Sequence, residues 1–289
     1  MYNMILQTWE SLDKIVRKEV AKSGHFSKKP TECSKCEISI GTVNVVNASV
    51  EDLKKEFKSE ILDGSSRKTL IIGEANCEID RQIERAIQMM NVFEMSLITV
   101  LPSLCKPITI TVETIMNKIE PYKPIWEWTP EEKYSIALKY KKMGVHLFKE
   151  CRYVDAFHRF SKACKILITL EPIHDLELDT KLESDINNLR LVLYNNMAGC
   201  QLNCKNYEHT ISLCTKVLNK ENNNVKALYR RGVAHGNLND VERAVNDLKI
   251  ATALEPHNSA IKEQFLIYNK KLQEANQKFE YTIRRMFKT

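Results

Sequence analysis

From Tyr134 almost to the C-terminus, apolar residues recur three and four positions apart, the spacing of helices with one buried face. Three stretches share a register. Gly144, Ala198 and Gly232 occupy equivalent places, and the last two stand 34 residues apart. Nine residues after each come Tyr153, Tyr207 and Val241, followed by Ala156, Thr210 and Ala244, then Phe160, Cys214 and Leu248, then Ala163, Val217 and Ala251. The pattern predicts helix pairs in which a small residue on the first helix meets a small residue on the second. Neither helix of a pair can bury its stripe alone, so the pairs must stack.

A 34-residue helix–turn–helix period is the tetratricopeptide period. The repeats fall at about 137–170, 191–224 and 225–258, with a long C-terminal helix over 259–287 that caps the last repeat. Gly144 and Ala198 are 54 apart. The surplus lies around Glu171–Asp175 and predicts an elongated second helix or a longer loop in the first repeat.

The first half alternates differently. Cys36–Val45, Lys68–Gly73, Phe93–Val100 and Ile108–Ile115 read as strands. Ile79, Ile83 and Ile87 lie on one helical face. A small antiparallel sheet wrapped on one short helix follows. Glu120-Pro121-Tyr122-Lys123-Pro124 cannot continue either element, because proline lacks the donor. Thr129-Pro130-Glu131-Glu132 then opens a helix, with threonine as the cap. The domains predicted are an α+β domain over 1–125 and an all-α repeat superhelix over 126–289. Trp126 and Trp128 are expected to pack the linker.

Charge changes the picture in the second half only. The net +6 of the chain divides into −1 for residues 1–129 and +7 for residues 130–289. That field attracts an acidic partner. Lys141 lies on the first helix of repeat one, Asn196 on that of repeat two, and Lys226 and Arg230 on that of repeat three. First helices line the inner side of a curved stack, and Lys226 and Arg230 share a face. Two cationic donors with an amide alongside suit carboxylates. The alternative is a merely solvated basic face.

Other signals point away from catalysis. Cys33 and Cys36 have metal-ligand spacing, but a structural zinc site needs four ligands and no second close pair exists. The nine cysteines, an odd number mostly at apolar helical positions, suit a reducing compartment. The histidines are scattered, with no nucleophile elbow, phosphate loop or metalloprotease signature. No apolar run reaches a membrane span, and Met1–Glu10 lacks the pattern of a secretory signal. No cofactor, catalytic residue or metal site is expected, and neither nucleic acid nor a membrane is an expected partner. The basic amphipathic tail, Lys270–Lys288, is read as a cap rather than a calmodulin or lipid site.

The residues around these positions resemble the immunophilins of the FK506-binding class. Tyr140-Lys141-Lys142-Met143-Gly144, Asn195-Asn196-Met197-Ala198 and Lys226-Ala227-Leu228-Tyr229-Arg230-Arg231-Gly232 are similar to their three repeats, and Arg284-Arg285-Met286-Phe287 to their closing motif. The chain is identified as a divergent member with a C-terminal tetratricopeptide domain. The resemblance implies a carboxylate clamp for the acidic C-terminus of heat-shock protein 90 or heat-shock protein 70. Lys141, Asn196, Lys226 and Arg230 carry four of its five roles, and Val145 stands where the fifth is often asparagine. It also implies an FK506-binding isomerase fold for the first domain, with the early turn at Ser23-Gly24. Ile83 replaces the tryptophan of the isomerase hollow, Ile79 and Asp80 stand for its apolar pair, and Phe93 replaces a turn glycine. The loop Leu101–Pro107 is short. The expectation is a non-catalytic co-chaperone in the cytoplasm, with the nucleus as a second compartment, that links a chaperone to client proteins. A general scaffold for acidic peptides and a residual prolyl isomerase are the alternatives.

Overall fold

The computed structural model describes residues 7–102 and 107–287 and divides the chain into two compact units, 1–128 and 129–289. The division falls after Trp128 rather than after residue 125. The middle of the Leu101–Pro107 connection lies outside the described residues.

In the first unit, β1 (Gln7–Glu10), β2 (Val16–Lys22), β3 (Lys35–Val46), β4 (Arg67–Ile71), β5 (Met95–Val100) and β6 (Thr109–Glu120) form one antiparallel sheet in the order β1-β2-β5-β6-β3-β4. Helix α1 (Val50–Lys55) buries only Leu53, whereas α2 (Glu78–Ile87) lays Ile79, Ile83, Ala86 and Ile87 on the sheet. Val16, Ile38, Ile98, Ile110, Val112 and Met116 meet them from the strands. Alternation along β5 and β6 has the period of 2 that half-buried strands require.

Strands β1 and β2 and helix α1 were not expected, and β2 shows why. Its core-facing positions are Val16, Lys18 and Val20, so a lysine interrupts the apolar register. Lys18 is 4% exposed and ion-paired with Glu94, itself 2% exposed. Lys18 Nζ also donates to Met89 O at 3.0 Å. Glu94 accepts from Asn91 N at 2.9 Å and Ser96 Oγ at 2.8 Å. This clasp ties β2 to the turn before β5. In that turn Phe93 stands at φ 60, the left-handed conformation expected of the replaced glycine, with its ring 55% exposed. Gly24 lies against the same turn, where an added Cβ would sit 2.2 Å from Val92 O.

Of the two linker tryptophans only Trp128 packs. Its Nε1 donates to Lys123 O at 2.7 Å and its ring meets Tyr122 edge-on, whereas Trp126 is 80% exposed.

The second unit is helical throughout. Its elements are α3 (Pro130–Lys149), α4 (Tyr153–Ile168), α5 (Thr180–Asn203), α6 (Tyr207–Leu218), α7 (Val225–Asn237), α8 (Val241–Leu254) and α9 (Ser259–Met286). Thr129 caps α3 in a reciprocal box with Glu132, and Pro130 is the first helical residue. Tyr153, Tyr207 and Val241 begin the second helix of each pair. The seam is as tight as the small residues imply. A Cβ on Gly144 would lie 2.6 Å from the Phe160 ring, and one on Gly232 would lie 2.8 Å from Leu248 Cγ.

The surplus between repeats one and two lies in a longer loop, one of the two expectations, and in an extension of α5 rather than of α4. Helix α4 has ordinary length; a 3-10 turn at Ile173–Leu176 and extra N-terminal turns of the 24-residue α5 take up the residues. At the other end Phe265, Tyr268 and Leu272 of α9 pack on Ala244, Val245 and Leu248. Beyond them Phe279, Met286 and Phe287 are 67%, 69% and 82% exposed, so the helix caps the stack with its first half only.

The Lys18–Glu94 clasp gives a test. Burial alone would raise the Glu94 carboxyl, but hydrogen bonds from Lys18, Asn91 and Ser96 hold it below the ordinary value. Its contribution to stability is therefore full above pH 4.5 and is lost as the pH falls toward the lowered folded value. Lys18→Met strands a buried carboxylate, and unfolding in urea at pH 7 is expected to show a loss of about 3–5 kcal/mol. The gap between variant and wild type should narrow in acid, where Glu94 is protonated in both.

Candidate peptide-binding site

The first helices of the pairs form the inner layer of the second unit. Helix α3 contacts α5 and α5 contacts α7, while no comparable contact joins α4 to α6 or α6 to α8. Lys141 lies on α3, Asn196 on α5, and Lys226 and Arg230 on α7. Lys226 is exposed, and Lys141, Val145, Asn196 and Arg230 are half-buried. Among the described residues, Lys141, Asn196 and Lys226 have neither a hydrogen bond nor an ion pair. Val145 lends no polar group. Arg230 hydrogen-bonds directly to another helix.

Its guanidinium crosses from α7 to α5. Nη1 donates to Asn195 O at 2.8 Å and also to Asn195 Oδ1. The amide that bonds Arg230 within the chain is therefore Asn195, and Asn196, expected to hold a ligand carboxylate, is not engaged by it. Helix geometry explains the difference: neighbouring residues point about 100° apart, so only one of two adjacent asparagines can face α7. Asn195 is 8% exposed, and its Nδ2 donates to Asn224 Oδ1 at 3.1 Å. Asn224 in turn caps α7, accepting from Ala227 N at 3.1 Å.

One turn along α5, Gly199 lies under the same guanidinium. A Cβ there would stand 3.2 Å from Nη2 and 3.3 Å from both Cζ and Nε, which places the flat group broadside on the helix backbone. Sequence reasoning passed over Gly199. A glycine inside a helix costs about 1 kcal/mol against alanine, and that cost is the signal that could have found it.

Electrostatics separate Arg230 from its neighbour. Arg231 makes a two-pronged ion pair with Asp247 at 2.8 Å for each bond, and that pair raises its pKa further. Burial pushes Arg230 the other way, below the ordinary guanidinium value. No carboxylate pairs with it among the described residues. The ionisable groups that act on it, the Cys200 and Cys214 thiols, are pushed up to about 12 by burial and stay neutral at pH 7. Arg230 is thus a desolvated cation held by neutral acceptors, the condition that favours an incoming anion. A cavity of 520 Å³ elsewhere in this unit, lined by Ile173, Arg190, Tyr194 and Lys216 among others, shares no residue with this set.

In the first unit the positions matched to the isomerase hollow are filled. Ile79, Asp80 and Ile83 are each 1% exposed or less. The Asp80 carboxylate accepts from Ser59 Oγ, from Glu60 N at 2.7 Å and from Ile61 N at 3.4 Å. Burial raises its pKa despite those bonds. Ile61 and Leu62 are buried with it. The loop after α1 thus occupies the ground beside α2. A 420 Å³ cavity lies instead on the sheet face turned away from α2, between Glu19, Thr42, Met95, Leu97 and Glu113.

Among the described residues no cluster of three His, Cys, Asp or Glu could hold a metal ion, and no helix is long and apolar enough to cross a membrane.

Comparison with known proteins agrees with this layout. Residues 9–121 match the family model described as "BDBT FKBP like N-terminal", and residues 129–212 match "Bride of doubletime-like, TPR domain". The two models give the chain an FK506-binding-protein-like N-terminal domain followed by a tetratricopeptide domain. The chain is 28% identical over 258 residues to mouse FK506-binding protein-like, covering 89% of this chain and 66% of that protein. It is also 28% identical over 232 residues to human peptidyl-prolyl cis-trans isomerase FKBP4, covering 76% of this chain and 50% of that protein. The chain thus spans less than two thirds of either relative. The crystal structure of residues 1–211 of CG17282 shares the fold, with a TM-score of 0.59 at 24% identity over 71% of this chain and 98% of that one.

The adjacent arginines should respond oppositely to truncation. Arg231→Ala leaves Asp247 buried without its partner, and denaturant unfolding is expected to show about 3–5 kcal/mol lost. Arg230→Ala removes a half-buried cation that has no anion among the described residues, so the same measurement should show a much smaller loss.

Proposed function

We propose that the second unit of this immunophilin-like chain binds the acidic C-terminal tail of heat-shock protein 90 or heat-shock protein 70, and that the protein acts as a non-catalytic co-chaperone. The observation that carries this reading is Arg230, half-buried, charged and, among the described residues, without a carboxylate of its own beside the internally satisfied Arg231. Lys226 one turn earlier and Lys141 on α3 add two unpaired ammonium groups to the inner layer, and Asn196 adds a free amide. The positions match four of the five clamp roles that the family resemblance implies. Val145 removes the fifth, a hydrogen bond worth about 1 kcal/mol.

The first unit would then engage clients rather than isomerise proline. Prolyl isomerisation in this fold works through a dry, shaped hollow. Here Ile83 replaces its tryptophan, and the Asp80 carboxylate with the Ser59–Leu62 loop takes up the adjoining space. This reading carries with it residence in the cytoplasm and the nucleus.

Titration with a labelled acidic peptide ending in a free Asp carboxylate tests the clamp. Lys226→Ala/Arg230→Ala should weaken binding by at least about tenfold. Equal affinity for wild type and variant would remove the assignment. Equal affinity for the amidated peptide would leave a general acidic groove in place of a terminus-specific clamp. For the first unit, a cis–trans assay on a proline peptide should run at the uncatalysed rate; acceleration abolished by Asp80→Ala would show an isomerase.

A further inference from the structure

Arg230 is held in an unusual manner for a half-buried guanidinium. Its fixed partners are both neutral: the carbonyl and side-chain oxygens of Asn195. Its flat face rests on Gly199, four residues further along the same helix. The orientation of the Asn195 amide is itself determined. Its Nδ2 is committed to Asn224 Oδ1 at 3.1 Å, which leaves Oδ1 to accept from Arg230. Asn224 is fixed from two sides, by Ala227 N at 3.1 Å and by its own donation to Glu221 Oε2 at 2.7 Å. A chain of contacts therefore runs from the N-cap of α7, through α5, back to a side chain on α7.

Two alternatives were open to this position, and the structure uses neither. An acid at residue 195 would hold the guanidinium more strongly but would neutralise it, as Asp247 does for Arg231. An alanine at residue 199 would favour the helix but would press on Nη2, Cζ and Nε together. Rigid charges lose less freedom on binding than mobile ones, so a seat that orients Arg230 without spending its charge favours capture of a carboxylate.

We propose that Asn195 and Gly199 are positioning residues that form a neutral seat for Arg230 and set the affinity of the groove for acidic peptides. The inference rests on the peptide-binding reading above and adds two residues to it, neither of which needs to touch the peptide.

The test uses the full chain, a fluorescein-labelled acidic peptide ending in a free Asp carboxylate, and unfolding midpoints measured in parallel. Asn195→Asp is nearly isosteric and gives Arg230 an internal counter-ion. It should weaken peptide binding by about tenfold or more while changing the midpoint little, because the new ion pair offsets the lost Nδ2 bond to Asn224. Gly199→Ala should weaken binding by about three- to tenfold by displacing the guanidinium a few tenths of an ångström, with the helix retained. Asn195→Ala should fall between them. In an Arg230→Ala background all three substitutions should become silent for affinity, because the group they seat is gone. A purely structural role for Asn195 and Gly199 predicts the reverse: affinity would follow the midpoint, and the effects would persist without Arg230. If Arg230→Ala lowers affinity but Asn195→Asp and Gly199→Ala do not, the seat is overturned and the groove stands. If the wild-type chain does not bind the peptide, both are overturned.

Discussion

The second unit depends on close approach of paired helices at a seam of small residues. Gly144 lies against the Phe160 ring and Gly232 against Leu248, each at a distance that admits no Cβ. Ala156, Thr210 and Ala244 on the second helices are fully buried in the same seam. That approach sets how far the first helices lean toward one another from repeat to repeat. It brings α5 against α7, and with them Asn195 against Arg230. A groove of separate side chains becomes a site only because the backbones beneath it are pressed together.

Within that frame two adjacent arginines meet opposite fates. Arg231 reaches Asp247 on α8 and Thr215 on α6, which satisfy it. Arg230, about 100° around the helix, reaches α5 and finds only neutral oxygen atoms. Burying a charge without its opposite is costly, and proteins retain it chiefly where a ligand supplies the missing partner. The two residues have the same chemistry, and packing alone separates a structural ion pair from a candidate ligand contact.

The first unit shows buried charges answered from within the chain. Lys18 and Glu94 carry charges into the interior, but each answers the other, and the clasp holds β2 to the turn before β5. Asp80 is buried by neighbours that donate to it from Ser59, Glu60 and Ile61. Phe93 keeps the left-handed turn that a glycine would take, so the backbone survives the change in side chains.

Periodicity alone determined the repeat architecture, the cap at Thr129, the small-residue seam and the helix carrying Lys226 and Arg230, because each rests on contacts a few residues apart. Alternation likewise revealed four of the six strands. It missed β2, where Lys18 occupies a core position that only distant Glu94 makes tolerable. The longer loop expected after repeat one is present, whereas the added turns of α5 were not foreseen. Which of two neighbouring asparagines meets Arg230, and why Gly199 interrupts a helix, were decided by tertiary structure. Both depend on the angle at which α5 presents its face to α7, a quantity set by packing across some thirty residues of chain and by no local preference.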